Sequence, residues 1–349
     1  MGARRLAAMP DRPPTDLEKL MSRKSPRIHA VAAVVFTACA LAGASAAHAA
    51  EVLKFGHVYE AATPYHEAAL RVGEAFSAAT EGAYTIEVFP ASQLGNETAL
   101  NEALSLGTID MIYTGVAFMG QSYPPIAISD FPFTMRDFDH WKAYGQSDLF
   151  AEMADEFTKI TGNYVSALTY YGARHVTSNK PILAPGDMEA LKIRTPNAPA
   201  YQLFPEVVGA NPTPMAFAEV YLALQQGVVD AQENPLPTIQ FKKFYEVQSN
   251  INLTGHITNS LVTLISPATV AKLGAEDLAK LDAAIAEGAE WASAEILKAE
   301  NELADWFRAE GVTVNEVDRG PFIEAVAPAL VSDDMPWEPE IFERLQAIQ

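Results

Sequence analysis

Three side chains in the middle of the chain, Arg174, Arg194 and Asn234, have the types and spacing to hold a carboxylate. A guanidinium is planar, always charged, and presents a rigid fork of N–H donors that meets both oxygens of a carboxylate at once. An asparagine amide beside such a fork supplies a further donor. Taken singly, each residue has a plainer role: either arginine as a surface charge, and Asn234, which precedes Pro235, as a turn residue bonding its own backbone. Asp110, Asp230 and Glu233 could be drawn as an acid and base set for catalysis. Each adjoins a strand or a turn, where capping or pairing with Arg194 is the simpler use.

These side chains need elements to position them. The segment from 187 to 236 reads as strand, turn, helix, turn, helix and strand, and Arg194 leaves its strand just before a Thr195-Pro196 break. Upstream, "EVLKFGHV" has the apolar run of a buried strand, 66–80 carries Ala69, Val72, Phe76 and Ala79 on one helical stripe, and "AYTIEVFP" is the next strand. A capped helix follows in "NETALNEALSLGTID", ending at Gly107, and "MIYTGVAFMG" reads as a third strand. A helical stretch over 140–159 leads into "YVSALTYYGARHVTSN", a strand that turns at Gly172 with Arg174 just beyond. "HITNSLVTLIS" is a similar strand, able to carry the chain back. From 267 to 310 an Ala/Glu/Lys-rich stretch, interrupted only by Gly274 and Gly288, predicts one very long helix or two stacked ones. Its stripe of Leu281, Ile285, Trp291, Ile296 and Trp306 reads as packing. Strands alternating with helices predict an α/β fold with a mostly parallel sheet, whose ligand crevice lies past the carboxyl ends of the strands. Gly115 falls at such an end.

The start of the chain speaks to compartment. Residues 23–49 combine Arg23, Lys24 and Arg27 with an apolar run over 29–41 and the small-residue ending Ala47-His48-Ala49. That is the form of a secretory signal peptide, with cleavage expected near Ala49 or Ala50 and export to the periplasm. The charged, proline-rich residues 1–20 exceed what such a signal needs, which makes Met21 an alternative start. Cys39, the only cysteine, lies inside the signal, so the mature chain has no thiol for a disulfide, a nucleophile or a metal. Removing 1–49 takes away seven of 24 Lys/Arg and three of 44 Asp/Glu, leaving 17 against 41 and a formal charge of −24. Such acidity argues against nucleic acid and anionic membranes as partners. It also means that a small anion can be held only by a local, desolvated cluster of donors. No later segment offers the ~20 apolar residues a bilayer requires.

About 300 mature residues predict two lobes, divided as 50–171 with 260–299 and 172–259 with 300–349. The chain has no G-x-S-x-G, H-E-x-x-H, Walker loop or G-x-G-x-x-G, and neither cofactor nor metal is expected.

The block "GARHVTSNKPI", followed by "LKIRTPNAPAYQLFPEVVGANPTPMAFAEVYLALQQGVVDAQENPLPTIQFKKFYEVQ", is similar to the solute-binding subunits of tripartite ATP-independent periplasmic (TRAP) transporters. That family includes C4-dicarboxylate and sialic-acid receptors, and the likeness runs from "LKFGHV" to the C-terminal helices, strongest over 172–248. The resemblance implies a two-lobed periplasmic binding protein with a hinge and a long helix spanning both lobes. Such a receptor is soluble and monomeric, and it hands a small carboxylate to the TRAP membrane subunits. By the same resemblance, Arg194 forms the bidentate salt bridge to the ligand carboxylate, Arg174 and Asn234 complete the clamp, and Phe217 of the "MAF" turn packs on the ligand. Asn197 and His256 match ligand contacts of sialic-acid receptors.

Where those receptors carry an asparagine after the first strand and an acid after the third, this chain has Val58 and Gly115, so sialic acid is not the expected ligand. Its "GHVYEAATPYHEAA" looks like the start of dicarboxylate-type receptors, making His57, Tyr59, Glu97 and Gly115 the candidates for the ligand's far end. Glu97 would repel a second carboxylate and accept hydroxyl donors, which favours a hydroxylated or keto monocarboxylate, such as a sugar acid, over a plain dicarboxylate. The alternatives are a periplasmic receptor feeding a sensor or another transporter, and an enzyme acting on a carboxylate sugar.

Overall fold

The computed structural model describes residues 49–349; Met21, Cys39 and the predicted signal as far as position 48 lie outside them. Nine strands, β1 (Glu51–Gly56), β2 (Tyr84–Phe89), β3 (Met111–Gly115), β4 (Tyr164–Ser178), β5 (Lys192–Thr195), β6 (Asn211–Pro214), β7 (Ala231–Pro235), β8 (Asn250–Ile265) and β9 (Thr313–Asn315), form one sheet among the described residues. Its order is β2-β1-β3-β8-β4-β7-β5-β6, with β9 beside β8. β1 runs parallel to β2 and β3, and β5 parallel to β6 and β7. Between these two groups run β4 and β8, antiparallel to each other and to β7 and β3 respectively, with β9 parallel to the start of β8. The sheet is therefore mixed rather than mostly parallel. The reason is length: β4 and β8 have 15 and 16 residues, enough to border both groups. Tyr164 pairs with Ile265 beside β3, and Ser178 with Asn250 beside β7.

The helices are α1 (Pro64–Ala79), α2 (Glu97–Ser105), α3 (Val116–Met119), α4 (Phe138–Gly145), α5 (Asp148–Thr161), α6 (Pro199–Val207), α7 (Val220–Gln225), α8 (Leu236–Phe241), α9 (Pro267–Ala309), α10 (Gly320–Leu330) and α11 (Pro339–Ala347). Local chemistry explains their starts. Thr63 caps α1 by accepting from the His66 amide, and Pro64 takes the first helical position, where its missing N–H costs nothing. Asn96 caps α2 in the same way, which puts Glu97 in the favourable first turn. Ala69, Val72 and Phe76 of the predicted stripe are buried, whereas Ala79 is exposed where the helix runs out.

Three sequence expectations change. The third strand stops at Gly115, and "VAFM" coils into α3 instead of extending it. The helix read over 140–159 is two, because Ser147 re-caps the chain by accepting from the Phe150 amide. A short strand, β6, lies between α6 and α7 where only a turn was read.

The long segment becomes α9, with 43 residues and one kink at Gly274 (φ 66°, ψ −178°). Gly288 does not interrupt it. A Cβ there would stand 2.8 Å from Val72 Cγ2, so this glycine is what lets α9 and α1 approach. Leu281, Ile285 and Ile296 are buried, while Trp291 is only partly covered, with the Arg71 guanidinium 4.1 Å from its ring. α9 follows β4 from Tyr164 to Ala173. Asp282 accepts from Tyr164 and Ser166, Ser293 accepts from the Tyr170 amide, and Glu300 accepts from the Tyr170 hydroxyl and the Ala173 amide. Further on, Trp306 and Phe307 pack on Tyr245.

At the middle of β4 the register with β8 shifts between Tyr170 and Gly172. Gly172 has φ 116°, and a Cβ there would lie 2.7 Å from Pro235 and 2.8 Å from Glu300 Oε1. Only glycine fits this position. The chain end folds back onto α5, where Arg344 pairs with Glu152 at 2.8 Å.

Candidate functional site

Past the carboxyl ends of β1, β3, β5 and β7, and against the Gly172 turn, lies a narrow cavity with about 20 Å³ of free space, room for about one water. It is lined by Tyr59, Glu97, Gly115, Phe118, Tyr171, Arg174, Arg194, Pro196, Tyr201, Phe217, Asn234, Asn259 and Leu261. Glu97, Phe118, Arg194 and Pro196 also border an outer cleft that includes Asn197, Met215 and Glu219. The cavity thus has an inner end at Tyr201 and Asn259 and an outer end at Glu97 and Arg194.

Arg194 is the last but one residue of β5 and is 1% exposed. Its Nε and Nη2 both donate to a single acceptor, the Met215 carbonyl, at 3.1 and 2.8 Å. No carboxylate among the described residues forms a salt bridge with it, and its charge lies 5.8 Å from the centre of the Phe217 ring. Burial pulls its pKa down to about 10, with Glu97 the largest influence in the other direction. A buried cation without a partner is costly.

Arg174, on β4, is equally buried but has its charge neutralised in place. Its Nε and Nη2 grip the two carboxylate oxygens of Glu233, Nη2 also donates to the Glu233 carbonyl at 2.8 Å, and Nη1 donates to Asn259 Oδ1 at 2.8 Å. Burial pushes Glu233 upward, but the charge and hydrogen bonds of Arg174 together with those of His256 outweigh it and hold the carboxyl below its ordinary value. His256 stands behind this pair, with Nε2 3.2 Å from Glu233, Nδ1 2.8 Å from the Thr254 hydroxyl and its ring stacked on Phe204. Burial keeps it neutral, its pKa lowered. Glu233 is therefore the partner of Arg174, not of Arg194. The other two acids cap: Asp230 accepts from the Lys192 amide, and Asp110 from the Lys54 amide and Thr269. The acid and base set drawn from the sequence is dispersed.

Of the remaining predicted residues, Asn234 accepts from the Tyr171 hydroxyl at 3.2 Å and donates to Gln232 at 2.6 Å. Tyr59 meets Phe217 edge-on, their ring centres 6.1 Å apart. Glu97 makes no side-chain hydrogen bond to another described residue, and its pKa is raised by burial, with Arg194 opposing. Gly115 lets the opposite wall come close: a Cβ would stand 2.7 Å from the Tyr201 hydroxyl.

Three predicted residues do not line the cavity. His57 lies behind Tyr59, accepting from its amide at 3.2 Å and facing His66 at 3.1 Å, and burial drives its pKa down to about 3. His256 lies behind Glu233. Asn197 is exposed in the outer cleft, where its carbonyl accepts from Gln121. The sequence reading missed Phe118, Tyr171, Tyr201 and Asn259. Tyr171 could have been found from its place beside the Gly172 turn; the others are brought in by tertiary packing alone. Among the described residues, no group of three His, Cys, Asp or Glu could hold a metal ion.

Residues 55–332 match DctP, the bacterial extracellular solute-binding protein family 7. The chain belongs to that family. It is 34% identical over 308 residues, 88% of this chain and 96% of the relative, to the sialic acid-binding periplasmic protein SiaP of Vibrio cholerae. Among solved structures, a TRAP periplasmic solute binding protein from Polaromonas sp. JS666 bound to D-erythronate superposes with a TM-score of 0.81 at 31% identity, covering 86% of this chain and 99% of that one. One from Roseobacter denitrificans with bound L-galactonate gives 0.80 at 32% identity, covering 85% and 99%. The α/β fold of TRAP periplasmic receptors and the long helix expected from the resemblance are both present in this family 7 member. Its role is that of an extracytoplasmic solute receptor. No helix among the described residues is long and apolar enough to cross a membrane.

Proposed function

We propose that this receptor binds a small organic acid in the cavity between Arg194 and Tyr201, holds its carboxylate on Arg194, and delivers it unchanged to TRAP membrane subunits. The observation that carries this reading is the state of Arg194: a buried guanidinium, facing a cavity, with one carbonyl as its only acceptor. A ligand carboxylate supplies the missing counter-charge in the bidentate geometry the fork prefers. Arg174 and Asn234 line the same cavity and keep N–H groups able to reach a carboxylate, although their other contacts fix them in place. Phe217 covers one face of the ligand. Among the described residues Glu97 is the one acid lining the cavity and forms no salt bridge, and it favours hydroxyl donors over a second carboxylate.

The same charge accounts for closure. Segments 50–171 with 260–299 and 172–259 with 300–349 act as lobes about the β4 bend at Gly172. Closing them around an uncompensated Arg194 is unfavourable, and a carboxylate shifts the equilibrium toward the closed state. Residues 1–49 serve as the export signal, and the receptor works as a monomer in the periplasm.

A thermal-shift screen of organic acids tests the reading, since a ligand that binds the folded state raises its melting temperature by mass action. Stabilisation by a monocarboxylate, lost in Arg194→Met and accompanied by no product when protein and ligand are incubated and assayed by mass spectrometry, is the expected result. Stabilisation that survives Arg194→Met, or turnover of the ligand, overturns it.

A further inference from the structure

The polar groups around the cavity are unequally committed, and this narrows the ligand. At the inner end the acceptors are taken. The Tyr201 hydroxyl donates to Asp130 at 3.1 Å and receives from Asn259 Nδ2 at 3.3 Å, and Asn259 Oδ1 receives from Arg174. The Tyr171 hydroxyl donates to Asn234 Oδ1 and receives from Thr238 at 3.0 Å. Asp130 itself is fully buried and also accepts from the Ala117 and Ser260 amides, so it holds Tyr201 from across the cavity. The Arg174 guanidinium, 4.8 Å from the Tyr201 ring centre, packs the phenol from the other side, and Gly115 gives the hydroxyl its place. Leu261, Phe118 and Phe217 complete an apolar surround. Among the described residues only Glu97 and the Tyr59 hydroxyl line the cavity without a side-chain hydrogen bond to another residue; Glu97 also borders the outer cleft beside Arg194, and Tyr59 packs between Phe217 and Tyr171.

Resting on the carboxylate reading above, we propose that the site selects a hydroxy acid whose single hydroxyl sits next to its carboxylate and whose remainder is a short alkyl group, with Tyr201 as the specificity-determining wall and Asp130 as the residue that positions it. The carboxylate goes to Arg194, the adjacent hydroxyl donates to Glu97, and the alkyl part lies toward Leu261 and the Tyr201 ring. A polyol of the same length would bury O–H donors opposite acceptors that each already receive a hydrogen bond, so its added hydroxyls would have to compete for them, and a poorly partnered buried hydroxyl weakens binding.

The test is a matched pair, 2-hydroxybutyrate and erythronate, which share a four-carbon chain and differ in two hydroxyls, titrated against the wild-type receptor by calorimetry with galactonate as a longer polyol. We expect 2-hydroxybutyrate to bind at least about tenfold more tightly than erythronate, with galactonate weaker still. Equal or tighter binding of erythronate overturns the proposal. In Tyr201→Ala, the order should shift toward the larger acids as the wall recedes; an unchanged order also overturns it, and the wild-type comparison stands if that variant fails to fold. Arg194→Met separates the two readings. If binding of whichever acid is preferred disappears in that variant, the carboxylate assignment holds even where the alkyl preference fails; if no acid binds in an Arg194-dependent way, the carboxylate reading itself is wrong.

Discussion

Arg174 and Arg194 are chemically identical, equally buried and line one cavity, yet the protein treats their charges in opposite ways. Arg174 is neutralised in place by Glu233 and locked by Asn259, with His256 backing the acid. Arg194 is left with one backbone carbonyl. Removing one partner of a buried ion pair leaves an uncompensated charge, whereas an uncompensated charge already present can only gain from a counter-ion. The first arginine is therefore tied into the scaffold, and the second is the one that the function proposed above reserves for the ligand. A pattern of two arginines need not mean two equal ligand contacts; what separates them is the acid that tertiary structure brings to one and withholds from the other.

The largest expected effect breaks the scaffold side of this contrast. Glu233→Ala should cost about 3–5 kcal/mol of folding stability, because it strands Arg174 in the interior, and denaturant unfolding measures it. Arg194→Met should do the reverse. The ligand-free receptor should be as stable as wild type or slightly more so, while affinity for the ligand carboxylate should fall by about 2–5 kcal/mol, read by calorimetry. If the two variants gave similar stability losses, the distinction drawn here would collapse.

A pH series sharpens the contrast further, since two buried histidines, His175 and His256, sit on the Arg174 side. His175, next to Arg174 in sequence, accepts from the Gly255 amide, and burial depresses its pKa to about 3, with His256 and Arg319 adding to the effect. The unfolded chain takes up this proton below 6.5, while the folded chain resists until about pH 3. Stability from this group is thus full above pH 6.5 and declines as pH falls toward 3, by about 1.4 kcal/mol per pH unit. His57 acts in the same sense near Tyr59. Replacing His175 with Gln should flatten the slope in that window, and an unaltered slope would place the acid sensitivity elsewhere.

The smallest effect concerns Lys242, which pairs with Glu60 at 2.6 Å and lies 5.0 Å from the Phe217 ring centre. Lys242→Met should cost less than about 1 kcal/mol, and raising the salt concentration should shrink the difference. A larger, salt-insensitive loss would mean that this partly exposed pair contributes to closure on a par with the buried one.

Much of this protein was legible in the residue order because local chemistry controls it. Thr63-Pro64 and Asn96 start helices, apolar runs make strands, the turn at Gly172 needs a residue tolerant of positive φ, and the spacing of Arg174, Arg194 and Asn234 carries the family likeness. Other features turned on distance between parts of the chain far apart in sequence, which no local pattern encodes. Gly288 looked like a helix break and is instead a contact with Val72. "VAFM" looked like strand and is helix, since an apolar run does not distinguish the two. Tyr201, Asn259 and Asp130 were invisible as site residues because their roles depend on one hydroxyl meeting partners 58 and 71 positions away. What the sequence by itself determined is the set of elements and the presence of two arginines fit for a carboxylate. Only the tertiary structure decided which of them is free, by delivering Glu233 along β7 to Arg174 and leaving Arg194 facing the cavity: burial makes an unpaired charge expensive, and pairing is settled by which strands lie side by side.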